Sequence, residues 1–186
     1  MTGCAPEPAA IQAVKDAFAQ VPRHLMSSPN PDSLDGITLN VEVDETGLAA
    51  SSWPEDPWSD YRDFKRAHFG TADERTSPQK IAAKLRVVRY SPFVREYGTQ
   101  GWSGMAYDIP SYDCFVSLGG AGWAPASWEE QAGTFMHELG HTLALRHGGS
   151  DDIKFKPNYY SVMNYLWQVP PRQGALGGIA AAAIAN

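Results

Sequence analysis

Residues 137–147 read His137-Glu138-Leu139-Gly140-His141-Thr142-Leu143-Ala144-Leu145-Arg146-His147. His137 and His141 are four residues apart, so on a helix their rings leave the same face. That spacing lets two imidazoles reach one ion at about 2.0–2.1 Å each. Glu138 stands one residue round the helix, where a carboxylate can take a proton from an attacking water and return it to a leaving amine. His147 lies outside that geometry. On a continuous helix of about 1.5 Å per residue it would sit roughly 15 Å beyond His137, too far to share an ion. The chain must therefore turn sharply between Leu143 and His147 if the third ring is to swing back. Three histidines would leave one tetrahedral position open for water. A bare HExxH fits unrelated helices by chance, and the third histidine at this offset strengthens it.

The surrounding pattern places the motif on a helix from Glu129 to about Leu145. Ser127 can cap it, Glu130 completes a capping box three residues on, and Gly148-Gly149 lies just past its end. Upstream, Pro6 to Gln20 reads as an amphipathic helix, with Ile11, Val14, Ala17 and Phe18 at helical spacing and Pro22 closing it. Ser27 to Gly36 is turn-rich. Ile37 to Val43 alternates apolar and polar residues, the pattern of a half-buried strand. A helix from about Pro57 to His68 is predicted with Asp56 as N-cap and Pro57 at the first helical position. Its aromatics Trp58, Tyr61 and Phe64, spaced by three, read as core packing. Ile81 to Val94 turns from helical to extended, and two further extended pieces are Ser103 to Ile109 and Cys114 to Leu118. No repeat appears and no linker divides the chain, so residues 1–186 are expected to form a single domain of α+β class.

Composition narrows the function classes. The chain has 186 residues, 43% hydrophobic and 19% charged, with a net charge of −6, enough to bury a core without staples. Lys and Arg are scattered, so neither nucleic acid nor an anionic membrane is favoured as a partner. No apolar run approaches the roughly 20 residues of a membrane span. The two cysteines, Cys4 and Cys114, set no disulfide framework. They either pair in an oxidising compartment or stand as a near-terminal thiol and a buried strand thiol. Met1-Thr2-Gly3-Cys4 faintly resembles a lipoprotein cleavage site but lacks the charged and apolar regions of a signal peptide. If the protein is exported, its targeting segment is not in this chain.

Downstream, Ser161-Val162-Met163-Asn164-Tyr165 completes the pattern. Taken bare, Met163 reads as a core methionine and Tyr165 as a packed ring. Together with the histidines, however, the run resembles the metzincin clan of zinc endopeptidases, whose signature is HExxHxxGxxH followed by a tight turn with a methionine beneath the zinc. The match holds at all three histidines and the glutamate.

The resemblance implies one catalytic zinc on His137, His141 and His147, with Glu138 as general base and acid. It makes Met163 the floor of the site and Tyr165 a fifth ligand or a partner for the transition-state oxyanion. It implies a twisted, mostly parallel sheet, with Pro6–Gln20 as backing helix. Ile37–Val43, Leu85–Phe93, Ser103–Ile109 and Cys114–Leu118 would be the second to fifth strands. Ser103–Ile109 would be the antiparallel edge along which a protein or peptide substrate adds as a further strand. A secreted, monomeric metalloprotease is the expectation.

Three departures from the family stand out. Ala144 replaces the glycine at which the helix must break, where a left-handed backbone costs other residues roughly 1–2 kcal/mol. The first strand has no counterpart, and the chain ends soon after the methionine turn, which implies a catalytic domain shortened at both ends. These departures keep open a zinc-binding module that no longer cleaves. An aminopeptidase with an acidic third ligand is the other enzymatic alternative. Asp151 and Asp152 are the candidates for a third ligand should His147 fail to turn back. His24 and His68 read as surface or capping histidines, and Arg146 as solvent-facing. Asn158 to Tyr160 are candidates for orienting the methionine turn.

Overall fold

The computed structural model describes residues 4–22, 34–54, 56–99, 101–120 and 122–170. His24, most of the turn expected over 27–36 and the Ala-rich run from Gly174 lie outside the described residues. The architecture is mixed α and β, as the α+β expectation had it. In chain order the elements are helix α1 (Pro8–Ala19), strand β1 (Ser52–Trp53), helix α2 (Trp58–His68), a 3-10 turn (Glu74–Thr76) and helix α3 (Pro78–Lys84). Strands β2 (Glu96–Tyr97), β3 (Gly104–Ala106) and β4 (Cys114–Val116) follow, and helix α4 (Trp128–Thr142) closes the series.

Helix α4 forms where its signals placed it. Ser127 Oγ accepts from the Glu130 amide and the Glu130 carboxylate accepts from the Ser127 amide, a complete capping box. Its back face meets α1, whose Ala10 and Val14 are buried with Val116, Leu118, Ala132 and Phe135. A β-carbon on Gly133 would run into the Gln168 carbonyl, so the stretch after the methionine turn lies directly on α4. The Trp58, Tyr61 and Phe64 rings pack into a second core with Trp53, Val94, Tyr97 and Phe115. Trp53 and Trp58 meet Phe115 edge-on at 5.1 and 5.7 Å, the arrangement ring quadrupoles favour. The cap of α2 falls one residue later than expected: Pro57 occupies the N-cap, while Asp56 Oδ1 accepts from the Trp58 amide at 3.4 Å.

The sheet is less continuous than expected. Among the described residues it consists of two two-stranded pieces, β1 with β2 parallel and β3 with β4 antiparallel. Ser103–Ile109 and Cys114–Leu118 thus form the antiparallel pair, with Met105 opposite Phe115. Two expected strands are corrected. Leu85–Phe93 does not run as a strand, because the amides of Val87 and Val88 bond back to the Lys84 carbonyl in a continuing turn. Only Tyr90 and Phe93 then bridge, in parallel, to Asp113 and Val116, and Pro92 between them has no amide to donate.

Ile37–Val43 forms no ladder either, since its would-be neighbour offers no regular edge. Ile37 and Val43 are exposed, and Leu39 only partly packs against the α1–α4 core. Charge anchors this segment instead. The buried Lys84 ammonium lies 2.7 Å from Glu42, 2.6 Å from Asp44 and 2.8 Å from Glu74. Between the segment, α1 and the Val87–Phe93 stretch lies a cavity of about 690 Å³. The cysteines are unpaired, with Cys114 buried in β4 and Cys4 half-buried. Among the described residues no helix is long and apolar enough to cross a membrane.

Candidate metal centre

Helix α4 ends at Thr142, earlier than its apolar pattern suggests, and the way it ends builds the site. Ala144 N–H donates to the His141 carbonyl and Leu145 N–H to the Gly140 carbonyl, both at 3.0 Å. These are the paired bonds of a Schellman cap, in which the residue after the cap turns left-handed. That residue is Ala144, with φ of 74°. The turn that a third ligand requires therefore occurs at the alanine and does not shift to Gly148-Gly149. Ala144→Gly is accordingly expected to stabilise the fold. It relieves roughly 1–2 kcal/mol of left-handed strain and forfeits about 0.5–1 kcal/mol of backbone entropy. Each kcal/mol gained raises the thermal midpoint by about 2–4 °C in a chain of this size. A lower midpoint in thermal unfolding would contradict the strain.

The reversal carries His147 back over the helix. Its ring centroid lies 5.4 Å from that of His137 and 4.7 Å from that of His141. One ligand atom from each of the three residues lies within 4.8 Å of the others, so the group can hold a metal ion. His137 and His141 are buried and His147 half-buried.

The hydrogen bonds fix which atoms of the first two rings face inward. His137 Nδ1 lies 2.8 Å from the Val162 carbonyl and His141 Nδ1 2.8 Å from the Leu145 carbonyl. A carbonyl only accepts, so both Nδ1 atoms carry the proton and both Nε2 atoms present lone pairs. Those two Nε2 atoms are 3.1 Å apart. Neither has a proton to share, so the contact is repulsive unless a cation sits against both. Two ligands at about 2.0–2.1 Å from one tetrahedral ion lie roughly 3.3 Å apart. The pair is thus at the spacing an ion of that size requires.

Burial keeps the rings in their binding form. Desolvation holds the His137 imidazole down at about 3 and lowers His141 and His147 as well, so all three are neutral at neutral pH. Glu138 lies 5% exposed beside them. Its side chain crosses β3, where a β-carbon on Gly104 would stand only 3.1 Å from Oε1. Desolvation pushes this carboxyl up to about 8, against the opposing pull of the Ala106 amide that donates to it.

The signs of these shifts define a pH window for the metal-free protein. The His137 contribution is full above its usual 6.5 and is lost as pH falls toward 3. The Glu138 contribution is full below its usual 4.5 and is lost as pH rises through 8. Between 4.5 and 6.5 the two changes oppose each other, so stability should be greatest there and fall on both sides. Thermal midpoints of chelator-treated protein across pH 3–9 test this. In Glu138→Gln the alkaline fall should shrink, and an unaltered fall would assign it to another group.

Residues 161–165 turn against α4 beside the histidines. Met163 is 1% exposed, and its sulfur packs directly on Gly140, where any side chain would collide with it. Tyr165 stacks on His137 at 5.4 Å and 21°, and its centroid lies 4.6 Å from that of His147. The structure therefore brings His137, Glu138, His141, His147, Met163 and Tyr165 together. His68 sits elsewhere, its Nδ1 3.0 Å from Glu45. Asp151 faces Lys156 at 2.6 Å, and Asp152 pairs with Arg146.

Three supporting residues hold positions to which the sequence motifs assign no role. Gly140 and Gly104 matter for the side chains they lack. Asn164 is fully buried and ties the turn together, donating to the Lys156 and Tyr159 carbonyls at 2.6 and 2.9 Å. Its second bond ties the turn to the 158–160 stretch through the Tyr159 carbonyl. No family model, curated protein or solved structure matches the chain.

Proposed function

We propose that this protein is a zinc-dependent endopeptidase of metzincin type. The observation that carries the reading is the convergence of two unprotonated Nε2 atoms at 3.1 Å, with a third histidine ring and a buried glutamate beside them. Three neutral imidazoles suit zinc and leave one position for water or substrate. A zinc ion there supplies a Lewis acid for the scissile carbonyl, lowers the pKa of its water toward about 7 and favours ionised Glu138.

The chain's own residues do the rest. Glu138 accepts the proton of the attacking water and passes it to the departing amine nitrogen as the C–N bond breaks. Tyr165, beside His137 and His147, offers its hydroxyl to the developing oxyanion. Strand β3 supplies a docking edge. The Ser103 carbonyl and the Tyr107 amide bond to the β4 side, so the main chain of Gly104 and Ala106 faces away from it. An extended substrate peptide would pair there, next to the Ala106 amide that also holds Glu138.

The alternative is a zinc-binding module that does not cleave, and the near-complete burial of Glu138 is the observation in its favour. Chelation separates the two. Metal-stripped protein should lose hydrolysis of an unfolded protein substrate and regain it with one equivalent of zinc. Zinc binding without hydrolysis would leave the module. Hydrolysis that survives stripping would remove the metal from the mechanism.

A further inference from the structure

His137 and His141 each anchor the ring nitrogen that faces away from the site on a main-chain carbonyl. His147 has no such anchor, and its Nδ1 is buried with no hydrogen-bond partner. An acceptor beside it is Asp152 Oδ1 at 3.8 Å, just beyond a hydrogen bond. The other Asp152 oxygen accepts from Arg146 Nη1, which aims the carboxylate at the residue that follows.

The loop is built to keep that carboxylate in place. The Gly149 amide donates to the Arg146 carbonyl at 2.9 Å and the Gly148 amide to the Asp151 carbonyl at 2.8 Å. Gly149 holds φ of 90°, and a β-carbon on Gly148 would strike Asp151 Oδ1. Asp151 itself is committed elsewhere, to Lys156 at 2.6 Å and to the Ile153 amide at 3.0 Å.

We infer that Asp152 is the positioning carboxylate of His147. It accepts the Nδ1–H of that ring and so fixes Nε2 as the atom offered to the metal. This role rests on the reading of the three histidines as a metal site. It makes the third ligand unlike the other two, because its orientation depends on a side chain and a loop rather than on main-chain carbonyls. A carboxylate partner also raises the basicity of the ring it holds, and loss of such a partner typically weakens metal binding about 10–100-fold.

The test uses the full chain and zinc alone. Affinity is measured by competition with a chromogenic chelator for wild type, Asp152→Ala, Asp152→Asn and Asp151→Ala. Asp152→Ala should bind zinc roughly 10–100-fold more weakly. Asp152→Asn should recover part of the loss, since its carboxamide oxygen can accept the same N–H. Asp151→Ala should lose less than Asp152→Ala, since it loosens the loop but leaves the acceptor in place. In the zinc-loaded protein, nitrogen-edited spectra assigned to His137, His141 and His147 should show a protected Nδ1–H on all three rings in wild type and on only the first two in Asp152→Ala. Unchanged affinity in Asp152→Ala, or a His147 pattern with Nδ1 bound to metal, would overturn the assignment while leaving the site intact. A wild-type chain that holds no zinc would remove the metal site, and this role with it.

Discussion

Glu138→Gln is expected to lower hydrolysis of an unfolded protein substrate by about 10²–10⁴-fold, the usual contribution of a positioned general base. Zinc content should remain at wild type, because the carboxylate is not among the three ligands. The substitution is close to isosteric, and the space for it is set by Gly104, whose missing β-carbon leaves room for Oε1. The amide of Ala106, which donates to this side chain, can still bond the glutamine oxygen. What disappears is the ability to take the water's proton and deliver it to the leaving nitrogen. Activity and metal content measured on the same preparation check the pair of outcomes. Full activity in Glu138→Gln would defeat the mechanism, and loss of zinc would make Glu138 a ligand.

Gly140→Val should damage the site from beneath. Gly140 lies on α4 between His137 and His141, and the Met163 sulfur occupies the place a side chain would need. Met163 is buried and sits one residue after Val162, whose carbonyl holds His137 Nδ1 at 2.8 Å. Pushing Met163 away therefore displaces the anchor of His137. Overpacking of this kind costs roughly 1–3 kcal/mol, which lowers the thermal midpoint by about 2–4 °C per kcal/mol. Loss of an outer hydrogen bond to a ligating histidine should weaken zinc binding a further 10–100-fold or so. Coupling with Met163→Ala distinguishes this route from a general helix defect. If the contact is responsible, the double variant binds zinc more tightly than the two separate losses predict. Strict additivity would place the damage elsewhere.

The helical part of the fold was readable from sequence because its signals are local. Ser127 and Glu130 start α4 by their own side-chain chemistry, and the Ile11–Phe18 spacing marks the face that α1 buries. The strand over 37–43 was not readable for a corresponding reason. Alternation reports which side chains can be buried, but a ladder also needs a partner edge, and Leu85–Val88 turn with α3 instead. Lys84 then holds the segment through Glu42 and the adjoining Asp44, contacts spanning 42 and 40 residues that no local pattern encodes.

The same division runs through the site. His137 and His141 follow from helix geometry. His147 depended on a turn at Ala144, and the Schellman bonds at Gly140 and His141 supply it at the expense of a left-handed alanine. Gly104, Gly140 and Asn164 were silent because two act by absent side chains and the third by bonds to carbonyls of its own loop.

The most direct measurement is zinc content together with cleavage of an unfolded protein by wild type, Glu138→Ala and His147→Ala. The proposed reading predicts one zinc and hydrolysis in wild type, zinc without hydrolysis in Glu138→Ala, and loss of both in His147→Ala. A wild type that holds zinc yet leaves the substrate intact, or a His147→Ala that keeps both, would contradict it.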